Sequence, residues 1–380
     1  MARSNPLVQL GLFGQSVWLD SISRRLLNSG ELRRLIEEDH VRGLTSNFAI
    51  YEQAIVESQD YDQDILQSIS AGEAAATAFE KLSVEDARRV ADVFRSTYDR
   101  EAGWEGFVSL AISPHLAYDT EGTIEEARRI WAKIGRPNVH IKVPATPEGL
   151  AAISQLICDG INVNVTHLFG LNRYMLVTDA YMEGLERRSR AGLALEEVAS
   201  VASFYLSRID AVVDPLLAFQ VRQEGPKRKL AESLRGSAAV ASAKVVHDMH
   251  NLVFGGERFR RLTPHGARVQ RLLWASTGTT NPVYSDVKYI EPLIGAGTIS
   301  AMPLETLNAY RHHGDPAPRL DETYSSAHRV LEDLKDLGID LDEVAHQLEQ
   351  QAISKSRLEH DKLMERISET AYGSSPMRPS

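Results

Sequence analysis

Short runs of strand-forming residues alternate with long stretches of helical periodicity along this chain. The candidate strands are SVWLD (16–20), VRGLTSN (41–47), FVSLAIS (107–113), VHIKVPA (139–145), INVNVTHLF (161–169), VASFYLSRI (201–209), AAVASAKVV (238–246) and RLLWAST (271–277). Between them lie amphipathic stretches such as 124–134, and 147–157, which begins at a proline. About eight strands, each followed by a helix, predict an α/β fold of the (β/α)8 TIM-barrel type. A doubly wound open sheet alternates in the same way and is the alternative. No GxGxxG follows the first strand and no GxxxxGK[ST] occurs, so its nucleotide-binding version lacks support. The stretch HHGDPAPRL (312–320) closes the barrel portion, and beyond it Leu331, Leu334, Val344 and Leu348 predict additional C-terminal helices that pack back on the barrel. The expected organisation is a barrel over 1–318, helices over 319–372 and a flexible polar tail over 373–380.

Polar residues interrupt these strands in a pattern that core packing explains poorly. In VHIKVPAT (139–146) a run of strand formers ended by Pro144 encloses Lys142. A buried ammonium is costly unless paired, and desolvation lowers its pKa. A lysine made neutral in this way is what Schiff-base chemistry on a ketone or aldehyde requires. The alternative is a strand-end lysine whose amine snorkels to solvent. Strand one ends in Asp20 and strand two in Thr45 and Asn47. Strand five carries Asn162, Asn164 and Thr166 at period two, and strand six carries Ser203 and Tyr205 with Arg208 at its exit. The last strand ends in Ser276 and Thr277. Barrel enzymes place their chemistry at these C-terminal strand ends. An inward Asn–Asn–Thr ladder needs partners for every side chain, which a polyhydroxylated substrate supplies and a polar core network also would.

Composition narrows the classes. The 380 residues fit a single α/β barrel, and 43% hydrophobic residues allow a large core. A formal net charge of −10 argues against a nucleic-acid groove binder. Cys158 is the only cysteine, which excludes an intrachain disulfide framework and fits a reducing cytoplasm. No apolar run approaches transmembrane length and the N-terminus lacks an apolar h-region, so a soluble cytoplasmic protein without membrane partners is expected.

Taken in order, SVWLDSISR, GLTSN, VSLAISPHLAYDTEGTIEEA, VHIKVPATPEGL, INVNVT, VASFYLSRID and WASTGTTNPVYSD resemble the transaldolase family, in its longer form with a C-terminal helical extension. The resemblance runs from about Val17 to the 340s. It implies transfer of a dihydroxyacetone unit from a ketose phosphate to an aldose phosphate, with no metal and no organic cofactor, by a monomer or homodimer. Carried over by position, Lys142 matches the Schiff-base lysine and Asp20 the aspartate that takes the C4 hydroxyl proton. An N-cap for a helix starting near Ser21 is the other reading of Asp20. Thr166 matches the threonine that positions the catalytic water. Asn47 and Asn164 match residues that hydrogen-bond the fragment's hydroxyls, Thr45 lies beside them, and Ser203 and Ser276 sit where substrate and phosphate contacts are made. Arg208 matches the phosphate-binding arginine, with a surface ion pair to Asp210 or Asp214 as its alternative.

This chain also departs from the family pattern. Ala111 stands where the family has a glutamate that handles the carbinolamine proton through water. Thr280 replaces a lysine, Phe48 a proline, and Tyr205 a phenylalanine; fructose-6-phosphate aldolases carry tyrosine at that last position. His167 is expected to point out to the helix layer. His140 should share the inward face of Lys142, as a core histidine or as a substitute polar group near Ala111. His312 and His313 lack a carboxylate at useful spacing for a metal. A family member adapted to another carbonyl pair, and a barrel without turnover that binds or scaffolds, are the alternative functions.

Overall fold

The computed structural model describes residues 5–223, 225–279 and 281–371. Eight parallel strands close into a barrel in sequence order: β1 (Ser16–Asp20), β2 (Val41–Thr45), β3 (Phe107–Ala111), β4 (Val139–Pro144), β5 (Val163–Leu168), β6 (Ser200–Tyr205), β7 (Arg271–Ala275) and β8 (Ile299–Met302). This is the TIM barrel that the alternation predicts, and the open-sheet alternative is excluded by the pairing of β1 with β8.

Seven of the eight expected strands form. The eighth does not: residues 238–246 belong to the helix Ala238–Phe254. Its small residues decide the matter. Ala238, Ala239, Ala241 and Ala243 are buried, and alanine is the best helix former. Lys244 also has a helical solution, because its ammonium donates to the carbonyls of Arg319 (2.6 Å) and Glu322 (3.0 Å). The missing strand is β8, four residues flanked by Thr298 and Pro303. RLLWA is therefore the seventh strand, and Ser276 and Thr277 follow β7.

Inward side chains fill the barrel in layers. Trp18, Phe107, Val201, Leu273, Ala275, Ile299 and Ala301 form an apolar plug of their own. Gly43 is required beside it, since a Cβ there would lie 2.4 Å from the Trp18 indole. At the N-terminal end Arg271 is buried with Glu105 (2.9 Å) and donates to the Ser16 hydroxyl (2.6 Å), so the buried charge is paired. The outer core is continuous with the C-terminal helices Tyr324–Asp336 and Leu341–Ala371, in which Leu334, Val344 and Leu348 are buried and Leu331 is packed against the same cluster. Among the described residues no helix is long and apolar enough to cross a membrane. The tail from 373 lies outside the described residues.

Candidate active site

Strand register brings the polar residues to one level. Lys142 on β4 pairs with Ala111 on β3 and Asn164 on β5, and Pro144 pairs with Thr166. Lys142 does not snorkel: it is buried, and its Nζ donates to the Ser46 carbonyl (2.7 Å) and the Thr45 hydroxyl (3.3 Å). Burial pushes its pKa below the ordinary lysine value, and the charge of Asp20 works against that push. Burial pushes the Asp20 carboxyl up, opposed by Lys142. Burial pushes each group toward its neutral form and the other's charge holds it back, a balance that suits a nucleophilic amine beside a carboxyl that can exchange protons. Asp20 is not a helix cap, because the next helix begins at Arg24 and is capped by the Ser23 hydroxyl.

A second set of bonds crosses the barrel beside this pair. Ser203 donates to Asn164 Oδ1 (2.7 Å), and Asn164 Nδ2 donates to the Ser109 hydroxyl (3.0 Å). Asn164 is thereby fixed with one amide hydrogen to spare. Thr166 and Tyr205 share a 2.8 Å hydroxyl–hydroxyl bond. Burial, with the charge of Asp20 adding to it, pushes the Tyr205 phenol up to about 12, so it stays protonated. Asn47 spends its Oδ1 on capping the helix Phe48–Glu57 through Ile50 N (3.0 Å). Asn162 does not join the ladder above it. Its amide donates to the Pro137 and Val139 carbonyls and its Oδ1 accepts from Ala199 N, so that rung is structural.

Arg208 and Ser276 lie close together at the mouth. Arg208 is exposed in the first turn of the helix Ser207–Val221, and the ion pair with Asp210 or Asp214 does not form. Asp210 bonds Lys288 and Tyr289, while Asp214 bonds Tyr284 and the Gly236 amide. Ser276 has φ +51°, a left-handed conformation unusual for serine, and its carbonyl accepts from Ser207 N (3.2 Å) beside Arg208. Thr277 instead donates to the Ala301 carbonyl in the core. Thr280 lies outside the described residues.

Of the two histidines, His140 takes the first of its two expected roles and His167 departs from its expectation. His140 lies one layer below Lys142, opposite Ser109 in register, with its ring tilted against that of Phe107 at 4.3 Å. Burial, helped by the charge of Arg271, pushes it down to about 3, and neither ring nitrogen has a hydrogen-bond partner. It is a core histidine and does not stand at the Ala111 gap. His167 does not turn outward. The β5–β6 register slips between Val165 and Leu168, and His167 takes φ +55° at the slip. Its ring then lies 6.0 Å from that of Tyr205, its Nδ1 is buried without a partner, and Lys142 is close enough that its charge adds to burial in pushing His167 down to about 3. Its Nε2 meets the Ser356 hydroxyl of the C-terminal helix at 3.4 Å. Ser109, Ser46 and His167 were not among the expected site residues. Only Ser109 left a trace, an inward hydroxyl two positions before Ala111.

The model of the transaldolase/fructose-6-phosphate aldolase family matches residues 17–367. The chain belongs to this family. It is 43% identical over 354 residues to a transaldolase of Thiobacillus denitrificans, covering 93% of this chain and 97% of that one. A transaldolase of Trichodesmium erythraeum is 41% identical over 357 residues, covering 93% and 94%, and transaldolase 1 of Streptomyces avermitilis is 41% identical over 361 residues, covering 95% and 94%.

Proposed function

We propose that this family member is a transaldolase, a cytoplasmic transferase that moves a dihydroxyacetone unit between sugar phosphates through an imine on Lys142. One observation carries the reading: at the C-terminal mouth of the barrel a buried lysine with a lowered pKa and a half-buried carboxyl with a raised one feel each other's charge. The neutral amine of Lys142 attacks the donor ketone to give a carbinolamine, which loses water to form the iminium. Asp20 then takes the proton of the C4 hydroxyl as the C3–C4 bond breaks, and the electron pair enters the iminium to leave an enamine. The aldose leaves, an acceptor aldehyde adds to the enamine carbon, and Asp20 returns the proton to the new hydroxyl. Hydrolysis of the imine restores Lys142.

Asn164 and the free amide hydrogens of Asn47 hold the fragment's hydroxyls, with Thr45 and Ser203 behind them. Arg208 and Ser276 receive the phosphate. Ala111 supplies no acid or base to the carbinolamine, so those proton transfers fall to a water bound by the paired Thr166 and Tyr205 hydroxyls, beside the unpartnered Nδ1 of His167. Retention of Lys142, Asp20, Thr166 and the Asn164 network favours turnover over a binding scaffold.

Borohydride trapping tests the reading. With fructose 6-phosphate or dihydroxyacetone, mass spectrometry should find the added three-carbon mass on the peptide containing Lys142. Labelling of another lysine, or undiminished labelling in Lys142→Ala, refutes the assignment.

A further inference from the structure

The C-terminal helix Leu341–Ala371 runs over the barrel mouth and is tied down by side chains of one short stretch. Ser356 meets His167 near the end of β5, Arg357 donates to the Pro114 carbonyl (3.2 Å) and stacks over Tyr118, and His360 packs edge-on to Phe48 after β2 (5.1 Å between ring centres). The next residue completes a cluster outside the catalytic set. Asp361 Oδ1 lies 2.8 Å from Nε2 of His115 and 3.4 Å from Nδ1 of His360. One ligand atom from each of the three residues falls within 4.8 Å of the other two.

We propose that His115, His360 and Asp361 form a binding site for a divalent transition-metal ion that clasps the C-terminal helix to the loop after β3. Three ligand atoms this close leave a point about 2.0–2.2 Å from each after small side-chain shifts, the range of zinc–nitrogen and zinc–carboxylate bonds. Two imidazole nitrogens with one carboxylate suit zinc, nickel, cobalt or copper and disfavour magnesium and calcium, which take all-oxygen shells. His115 and Asp361 are exposed, so an ion reaches the site from solvent, and water completes its coordination. His360 is half-buried against Phe48, which fixes one ligand in advance. The ligands lie on two elements 246 positions apart, so a bound ion opposes lifting of the helix from the barrel.

The test uses the full chain with zinc chloride. Calorimetry should find one zinc ion per chain, with affinity at least tenfold weaker in His115→Ala and in Asp361→Asn, both exposed positions where folding is not at stake. Hydrogen exchange supplies the second readout. At zinc a hundred times the dissociation constant, amides of 341–371 that exchange by lifting of the helix should be protected about a hundredfold more, by linkage. The protection should vanish in His115→Ala. Zinc binding of equal strength in both variants, or binding that leaves exchange of the helix unchanged, overturns the clasp. Neither outcome bears on imine trapping at Lys142, so the two proposals fail separately.

Discussion

Thr45→Val isolates one of the two hydrogen bonds that stabilise the Lys142 ammonium. The bond is 3.3 Å long, whereas the bond to the Ser46 carbonyl is 2.7 Å and is untouched by the change. A hydrogen bond from a charged donor contributes about 1.5–3 kcal/mol, and a long one belongs at the bottom of that range. The neutral amine keeps a weaker version of the same bond, so the loss falls on the ammonium by a difference of about 1 kcal/mol. At 1.36 kcal/mol per tenfold, Lys142 should lose its proton about fivefold more readily, in the direction in which burial already pushes it. Imine formation needs the neutral amine, so its rate climbs with pH up to the lysine pKa and is flat above it. The acid limb of the variant should therefore lie at lower pH. Well below the midpoint, imine forms about fivefold faster than in the parent at saturating substrate, and on the plateau it forms no faster. Single-turnover borohydride trapping with dihydroxyacetone across pH gives the midpoint directly. Weaker substrate binding through the lost hydroxyl changes the concentration needed for saturation and leaves the midpoint alone. A limb that stays in place or moves up would refute the view that Thr45 stabilises the charged form.

Further expectations bear on the other groups. In Asp20→Asn, turnover should fall by about a hundred- to ten-thousandfold while the imine with dihydroxyacetone still traps; loss of trapping would place Asp20 in imine formation instead. His167→Leu should slow imine formation tenfold or more and spare the C–C step, and equal slowing of both, read by pre-steady-state kinetics, would reduce the ring to a pocket wall. Arg208→Ala should raise KM for phosphorylated donors by about ten- to a hundredfold and leave that for free dihydroxyacetone unchanged; equal effects on both would remove Arg208 from the anion site. His140 is held neutral in the fold, with its pKa pushed from 6.5 to about 3. The unfolded chain therefore binds the extra proton between those values, and stability present above pH 6.5 is lost as pH falls toward 3. His140→Met should flatten that acid limb by about 3 kcal/mol between pH 7 and 4 in urea unfolding, and an unchanged slope would mean that the ring is already hydrated.

Where the chain was legible, local chemistry and tertiary packing agreed. Lys142 stood out because strand formers surround it and Pro144 ends the strand, so burial followed from the neighbours, and Asp20, Thr45, Asn164 and Thr166 followed from strand ends and period-two alternation. Alternation then failed where the backbone left the ideal strand. His167 was expected on the outer face because it follows an inward threonine, but the register slip and left-handed φ at that residue turn it toward Tyr205. Asn162 proved structural, because it lies just before β5 and its amide bonds the carbonyls of Pro137 and Val139.

Length explains the misplaced strand. Four residues in β8 carry too little periodicity to outweigh an alanine-rich run that also alternates, and the choice between them is made by barrel closure, which pairs β8 with both β1 and β7. The residues that cover the mouth were the least readable. Nothing near Ser356 or His360 distinguishes those positions from any polar face of a long helix, and their partners lie on β5, on the loop after β3 and on the helix after β2. The same physics assigns these two kinds of residue different roles. Groups that must be buried to react, such as Lys142, are marked by their apolar neighbours in sequence. Groups that close the site from outside, such as Ser356, His360 and Asp361, acquire their chemistry only once the helix is laid across the barrel.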